Sequence, residues 1–513
     1  MFKYIDKFLN SITMYRLVLY TLISWLIIAG ILGAFGKLPF TPQALLYSVI
    51  VLIVVSWITD NLFVRVFNSQ PNSESTWITA FILALIISPP ESGQYLSLAP
   101  FLIWAGIWGV SSKYIIAISK KHIFNPVAFS VALIALIIHQ SASWWIGTIW
   151  MLPFILIGGL LIVHKIRRFD LVISFIFTSI ISGLVLLYFS TGIHTQSLLL
   201  FFKHLFINSP IIFFASVMLT EPLTTPPNRI RRIIYGVITG LVFSPSVHIG
   251  WLYSTPELAL CFGNIFSWLM SPKSKYIMTL ESKNKIARDT GEFIFTPDRP
   301  ISFKPGQYLE WTLGHKGIDG RGNRRYFTIS SSPTEKNISI GIKFDATRSS
   351  SFKKALAELD EGKSIIAGQL AGDFIMPKDK KVKLCFIAGG IGVTPFRSMI
   401  SYLVDKNEQR DITLIYSCKR FDDLAYTNLF HHAHTHLGIK TVSTLTDLDH
   451  LPEDWTGYKG FLGVELILSE VPDYMERLFY ISGPNALVEA TEKILFEIGV
   501  SKKQIKTDYF PGF

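Results

Sequence analysis

Cysteine is nearly absent. The 513 residues contain three, Cys261, Cys385 and Cys418, and no two have CxxC spacing. This excludes a disulfide framework and argues against an iron–sulfur cluster held by this chain alone. Charge is also sparse, at 17% of residues, and the net charge of +11 does not mark a nucleic-acid binder. The lysines and arginines lie in short loops between apolar segments, as membrane topology requires, and do not gather on one basic face. The opening MFKYIDKFLNS has no small-residue cleavage site before its long apolar run, so no removable signal peptide is expected.

What is abundant is apolar. Half of the residues are hydrophobic and 14% are aromatic, too oily for one soluble enzyme. These residues dominate up to about Met270, and charge density rises after Lys273. The expected architecture is therefore multi-domain. Residues 1–272 form an α-helical membrane domain, 273–379 an antiparallel β-barrel and 380–513 a parallel α/β domain.

Ten candidate spans lie near 14–33, 43–62, 77–88, 96–112, 125–138, 145–163, 171–189, 199–219, 233–249 and 256–271. With the N-terminus inside, the inner loops collect Lys3, Lys7, Arg65, Lys113, Lys120, Lys121, Lys165, Arg167, Arg168, Arg229, Arg231, Arg232, Lys273 and Lys275. The outer loops hold Lys37 and Lys203. This asymmetry puts both termini and the soluble part on the cytoplasmic side of a cell's inner membrane, with lipid as the first partner.

A weak internal repeat runs through the membrane part. TAFILALIISPPES (79–92) echoes ASVMLTEPLTTPPN (215–228), and KHIFNPVAFSVALIAL (121–136) parallels STPELALCFGNIFSWL (254–269). Two halves of five spans would run in opposite directions. Paired, proline-broken short segments in such a fold point to a site near mid-bilayer, although a proline can simply end a helix at the interface. Glu221 has two readings. It is a functional group at membrane depth, or an interfacial glutamate neutralised by Arg229, Arg231 or Arg232. Asp60 and Arg65, one turn apart, suggest a local pair.

KHIFNPVAFSVAL and FFASVMLTEPLTTPPNR resemble the RnfD/NqrB family, the ten-span membrane components of the Rnf complex and of the Na+-translocating NADH:quinone reductase. The resemblance covers roughly residues 15–271, with Glu221 where that family usually has Asp. It implies inverted repeats and a site for flavin or ion at Asn125, Thr220, Glu221, Thr224 and Thr225. The family's flavinylated SGAT-type threonine loop is missing, because the connection is only HQSASWW. No covalent flavin is expected here, and a non-covalent FMN or riboflavin stays open.

From Lys275 the pattern changes to short alternating strands, and from Lys381 to strand–loop–helix units. In RRYFTISSSP, Arg325 can fork onto a pyrophosphate. Phe327, two residues on, shares its strand face and can pack on an aromatic ring, and Thr328 offers a hydroxyl to a flavin N5 edge. RSSSFKKAL puts Ser349, Ser350 and Ser351 at a helix start, which suits a phosphate or is ordinary capping. IAGGIGVTPFRSM follows a strand and opens a helix; Gly389, Gly390 and Gly392 let backbone approach a dinucleotide, and Pro395 suits a first turn. The GxGxxG fingerprint is missing. YISGPNALVEA is a second strand-to-helix turn, with Ser482, Gly483 and Pro484.

In this order and spacing, residues 276–513 resemble the ferredoxin–NADP reductase superfamily. The resemblance implies FAD on Arg325, Tyr326, Phe327, Thr328 and the serines 349–351. It implies NADH or NADPH at Gly389, Gly390, Gly392, Val393, Thr394, Pro395, Ser482, Gly483 and Pro484, with Thr328 and Ser482 nearest the chemistry. Phe327 stands where the family more often has Tyr, and Ser482 where it has Cys. Phe513 could lie near the flavin or in a disordered tail. Lys419 and Arg420 could bind a 2′-phosphate, but Asp422 and Asp423 follow, so the nucleotide stays undecided. HHAHTH at 431–436 reads as a solvated helix face with no metal.

The expected function is a membrane-bound NAD(P)H oxidoreductase that passes electrons through FAD into or across the membrane. The acceptor would be an extracytoplasmic FMN-bearing protein. Alternatives are a quinone reductase working inside the bilayer and a redox-driven Na+ or H+ pump.

Overall fold

The apolar runs of the first half fold as helices: α1 (Met14–Ala34), α2 (Pro42–Val66), α3 (Ser73–Ile86), α4 (Tyr95–Ile115), α5 (Pro126–Ile138), α6 (Leu152–Ile166), α7 (Phe169–Thr191), α8 (Thr195–Ile207), α9 (Ile211–Met218), α10 (Arg229–Val242) and α11 (Pro256–Met270). Short hairpins precede α5 (β1, Ala117–Ile118, and β2, Lys121–His122) and α11 (β3, His248–Ile249, and β4, Leu252–Tyr253). This computed structural model describes residues 8–9, 12–67, 73–91, 93–118, 121–191, 195–244, 247–249, 252–271, 275–319, 322–345 and 349–510. It divides into two units, residues 1–275 with 320–322 and residues 276–319 with 323–513.

Among the described residues, four helices (α1, α2, α4 and α7) are long and apolar enough to cross a membrane. A fifth span results if α8 and α9, bent by 51° at their break, count as one. α3, α5 and α6 are apolar but shorter, so the expected ten spans are not all present as full-length helices. Two departures have clear causes. The expected run 199–219 breaks at Pro210, which has no N–H to continue a helix. The run 145–163 becomes helical only at Leu152, because the preceding tryptophans turn inward to the end of α3. There the Trp144 N–H donates to the Ile86 carbonyl at 2.8 Å, and Trp145 Nε1 donates to the Ala84 and Ile87 carbonyls at 3.0 and 3.1 Å. These bonds satisfy carbonyls that a helix end leaves unpaired.

The packing order repeats. α1 packs on α3, α2 on α4 and α4 on α5; then α6 packs on α9, α7 on α10 and α10 on α11. The halves meet where α1 touches α6 and α5 touches α11. The α7–α10 contact depends on small residues. A Cβ on Gly240 would lie 2.7 Å from the Phe175 carbonyl, and one on Gly236 2.9 Å from the Leu171 carbonyl. This GxxxG spacing lets two backbones approach closely. Asp60, expected beside Arg65, instead accepts from the Tyr114 hydroxyl at 2.7 Å.

The second unit opens with a six-stranded antiparallel sheet in the order β8-β7-β10-β5-β6-β9. Its strands are β5 (Tyr276–Ala287), β6 (Thr290–Pro297), β7 (Tyr308–Thr312), β8 (Arg324–Thr328), β9 (Ile338–Lys343) and β10 (Ser364–Ala371), with helix α12 (Ser351–Ala357) before β10. Edge strands β8 and β9 come into contact, so the sheet curls into a half-barrel around Met278, Phe295, Trp311 and Ile340. A parallel sheet follows, in the order β14-β13-β12-β11-β15-β16. It comprises β11 (Leu384–Gly389), α13 (Thr394–Asp405), β12 (Ile412–Cys418), α14 (Thr427–Leu437), β13 (Lys440–Leu445), β14 (Tyr458–Lys459), α15 (Val464–Glu470), β15 (Leu478–Pro484), α16 (Asn485–Glu497) and β16 (Ile505–Phe510). β11 is buried along its whole length, as a central parallel strand must be. The chain runs outward from β11 through β14, then returns to β11's other side as β15. That reversal opens a crevice at the carboxyl ends of β11 and β15.

Gly240→Leu should disrupt the α7–α10 contact at a cost of about 1–3 kcal/mol, read as a lower melting temperature of the detergent-solubilised protein. Gly30→Ala, where an added Cβ meets nothing within 4 Å, should leave it unchanged.

Candidate functional site

The crevice at the β11 and β15 tips is built by close backbone contact. A Cβ on Gly392 would collide with the Ser482 carbonyl and lie 2.6 Å from Gly483 Cα; one on Gly389 would lie 2.8 Å from Leu487 Cδ1. Close backbone packing therefore leaves no room for a side chain at either position. Gly390 alone faces open space, in the left-handed region at φ 52°. Val393, Thr394 and Pro395 are buried beneath it as the chain enters α13, and Thr394 Oγ1 donates to the Ile391 carbonyl at 3.1 Å. Ser482 is fully buried at the β15 tip, level with Ala388 of β11, and its Oγ has no hydrogen-bond partner. A buried orphan hydroxyl is costly unless a ligand satisfies it, so the site fits a group with an amide or carbonyl. Gly483 closes on the Gly389 backbone, and Pro484 is exposed at the head of α16.

The half-barrel contributes the facing wall. β8 pairs antiparallel with β7, setting Trp311 opposite Arg325 and Tyr308 opposite Thr328. Arg325 is buried, its guanidinium 5.5 Å from the Phe352 ring, and Phe327 approaches the same ring at 5.9 Å, so the two share a face as the spacing requires. Tyr326 points to the other face, 42% exposed, with its hydroxyl donating to Glu310 at 2.7 Å. Thr328 is buried. The serines lie at the start of α12. Ser349 Oγ accepts from the Asp345 N–H at 2.8 Å, Ser350 Oγ caps the Lys353 N–H at 3.3 Å, and Ser351 Oγ bonds His315 Nε2 at 2.9 Å. Asp319 Oδ2 accepts from the Ser351 N–H at 2.9 Å, and Asp319 Oδ1 lies 3.9 Å from Arg325 Nη2. A carboxylate thus fills the place between helix start and guanidinium where the sequence suggests a pyrophosphate, so the cradle already selects an anion.

Bonds between the sheets fix the crevice. Arg397 of α13 pairs with Glu335 at 2.5 Å, Ser398 Oγ donates to the Ser331 carbonyl at 2.6 Å, and Tyr426 donates to the buried Glu292 at 3.0 Å. Burial pushes the Tyr426 phenol up, so it remains a donor. Lys343 pairs with Asp423 at 3.2 Å. Sequence reasoning missed these pairings, because each joins segments far apart in the chain, and it missed Asp319 and His315, which fall in no motif. Lys419 is exposed at the end of β12, and Arg420 donates to Asp447 at 2.7 Å. Burial pushes the thiols of Cys385 and Cys418 up to about 12, so neither is a nucleophile at neutral pH. His432 and His436 face each other at 4.1 Å on the exposed side of α14, and the described residues contain no cluster of three metal-binding side chains. Phe513 and Arg348 lie outside the described residues.

A second polar cluster lies in the helical unit. Glu221, just beyond α9, accepts from Asn125 Nδ2 at 2.9 Å and from Thr224 Oγ1 at 3.1 Å, and lies 3.4 Å from His122 Nε2. Neutralisation by Arg229, Arg231 or Arg232 is overturned. Arg232 and Arg229 turn to Asp170, at 2.9 and 4.0 Å, and Arg231 bonds the Met270 carbonyl. Asn125 also caps α5 by accepting from the Ala128 N–H at 3.0 Å, while its own N–H donates to Asn264 of α11 at 2.7 Å. Thr220 Oγ1 donates to the Ser216 carbonyl at 2.7 Å, and Thr225 Oγ1 to the Glu221 carbonyl. Asn125, Thr220 and Glu221 line a small cleft of about 70 Å³, whose other walls are mostly apolar. In the first turn of α11, Glu257 is buried and accepts from Trp144 Nε1 at 3.0 Å.

Comparison with known proteins bears on the second unit. Residues 386–493 match the oxidoreductase NAD-binding domain. The chain is 30% identical over 211 residues to the glycine betaine monooxygenase reductase subunit of Pseudomonas aeruginosa, covering 40% of this chain and 56% of that protein. It is 24% identical over 241 residues to the NAD(P)H-flavin reductase of Aliivibrio fischeri, covering 45% of this chain and 96% of that one. Among solved structures, the flavohem-like FAD/NAD binding domain of nitric oxide dioxygenase from Vibrio cholerae aligns with 46% of this chain and 98% of its own, at 18% identity and a TM-score of 0.41. The chain spans just over half the length of the first of these relatives.

Ser482→Ala removes a hydroxyl that has no partner, so the melting temperature should hold or rise while turnover with nicotinamide nucleotide falls. Gly392→Ala should instead lower the melting temperature, because its Cβ collides with backbone. The open Gly390 turn and the buried Ser482 hydroxyl both fall within the matched segment, so the C-terminal half of this chain carries an oxidoreductase NAD-binding domain behind an antiparallel half-barrel, and it is similar in sequence to NAD(P)H-dependent reductases.

Proposed function

We propose that this chain is a membrane-bound flavin oxidoreductase that takes electrons from cytoplasmic NADH or NADPH and passes them through FAD into or across the membrane. One observation carries the reading: a single chain joins an oxidoreductase NAD-binding domain to helices long and apolar enough to cross a membrane. Arg325 and the Ser349–Ser351 segment would hold the FAD pyrophosphate, with Asp319 giving way to it. Phe327 and Thr328 would flank the flavin ring, and Ser482 would orient the nicotinamide amide. Bound FAD would supply the conversion from a two-electron donor to one-electron transfers. The protein's own part is to position the partners and exclude water.

The membrane helices would carry electrons to an extracytoplasmic, flavinylated acceptor, with both termini cytoplasmic and the shorter helices completing ten partial or full crossings of an inner membrane. Asn125, Thr220, Glu221, Thr224 and Thr225 would form the membrane site, open to a non-covalent FMN or riboflavin. The apolar cleft beside Glu221 favours one other reading, in which a quinone dissolved in the bilayer is reduced there.

Purified full-length protein should release one FAD per chain on acid extraction. Arg325→Ala should weaken FAD binding about 10–100-fold through loss of a charge-assisted contact. In sealed inside-out vesicles, added NADH or NADPH should reduce an impermeant acceptor trapped in the lumen. Reduction only of an added quinone would support the second reading, and a full-length protein without FAD would overturn both. Glu221→Gln should slow delivery to either acceptor while leaving ferricyanide reduction at the soluble domain intact. Unchanged delivery would remove Glu221 from the path.

A further inference from the structure

In a doubly wound sheet the nucleotide lies across the carboxyl ends of the strands, its phosphates at the first glycine turn and its adenosine toward the next strand. Here that places the adenosine ribose against the tips of β12 and β13. The tips are joined: the Thr446 N–H donates to the Cys418 carbonyl at 3.0 Å, and the Asp447 N–H to the Lys419 carbonyl at 2.9 Å. Asp447 is held from two sides. Arg420 Nε donates to its Oδ2 at 2.7 Å, and His450 Nδ1 lies 3.1 Å from its Oδ1. The Arg420 bond, followed by His450, holds the Asp447 carboxyl down at about 2, so it is ionised throughout the working range.

Charge decides what this edge accepts. Asp423 is committed to Lys343 at 3.2 Å and to the Arg420 N–H at 3.3 Å. The cation of Arg420 is already matched by Asp447, which leaves the exposed Lys419 against the exposed Asp422 and Asp449. A 2′-phosphate would enter among these carboxylates with no uncommitted cation in excess among the described residues there. A 2′-hydroxyl is a donor, and an ionised carboxylate with two of its acceptor sites used has others to offer. Phe421 and Leu448, 50% and 57% exposed, adjoin Arg420 and Asp447 and give adenine an apolar surface.

We propose that this chain selects NADH over NADPH at the adenosine ribose, and that Asp447, fixed by Arg420 and His450, is the group that makes the selection. The proposal rests on the oxidoreductase reading above and adds the choice of donor.

The test uses full-length protein in detergent, with ferricyanide as acceptor, and compares kcat/KM for the two nucleotides. NADH should be favoured by at least about tenfold, the order expected of like-charge repulsion. Asp447→Asn should narrow that ratio about tenfold, mainly by lowering KM for NADPH, and Arg420→Ala should leave the preference for NADH in place. A merely structural role for Asp447 would change both nucleotides alike and leave the ratio fixed, which would overturn the proposal. So would a wild-type preference for NADPH, or selective loss of NADPH use in Arg420→Ala, since either makes Arg420 a phosphate clamp. Calorimetry gives a readout independent of turnover: ADP should bind more tightly than 2′-phospho-ADP, and the reverse order overturns the proposal. Ferricyanide reduction with neither nucleotide, in protein that binds ADP, would overturn the function and leave the binding preference to be judged alone.

Discussion

The organisation of the soluble half depends on a steric constraint at two strand tips. The backbone after β11 and the backbone of β15 are so close that a Cβ on Gly392 would strike the Ser482 carbonyl. Close approach of two backbones needs a residue without a side chain. Once the tips are so joined, Ser482 is sealed from the protein's other polar groups and Gly390 is left facing outward. The open turn and the orphan hydroxyl are therefore two results of one packing requirement, and both face the ligand side of the sheet.

The helical half solves a different problem, that of placing polar groups among apolar helices. Helices that stop short leave unpaired backbone groups, which need partners within the protein wherever apolar side chains exclude water. Asn125 does this at the start of α5 while also holding Glu221, and the inward tryptophans do it at the end of α3. Two carboxylates of the second half lie at such places, Glu221 just beyond α9 and Glu257 in the first turn of α11, and each has its own donor from a distant segment. The repeat itself is visible in the order of helix packing as well as in the weak echo of the sequence.

Much of this was legible in the residues. Alternation of two in RRYFT placed Arg325 and Phe327 on one face, and the change from alternating strands to strand–helix units located the two sheets. The glycine motif marked the crevice, but which glycine is left open depends on where β15 returns, a contact 90 residues away in sequence. The partner of Glu221 was misjudged for a similar reason. Nearby arginines offered one reading, yet helix packing sends Arg229 and Arg232 to Asp170 and Arg231 to the Met270 carbonyl, and brings Asn125 from 96 residues away. Helix lengths were the least legible, since Pro210 and the two tryptophans act through local geometry that hydropathy does not register.

The bonds between the half-barrel and α13 have a mechanical consequence. Arg397 holds Glu335, and Ser398 holds the Ser331 carbonyl, so the segment leaving β8 and the helix opening beside Gly390 are clamped into one frame. A frame of this kind sets the gap between donor and acceptor once, during folding, and does not adjust it in each turnover. Motion is then left to whatever must enter and leave the crevice.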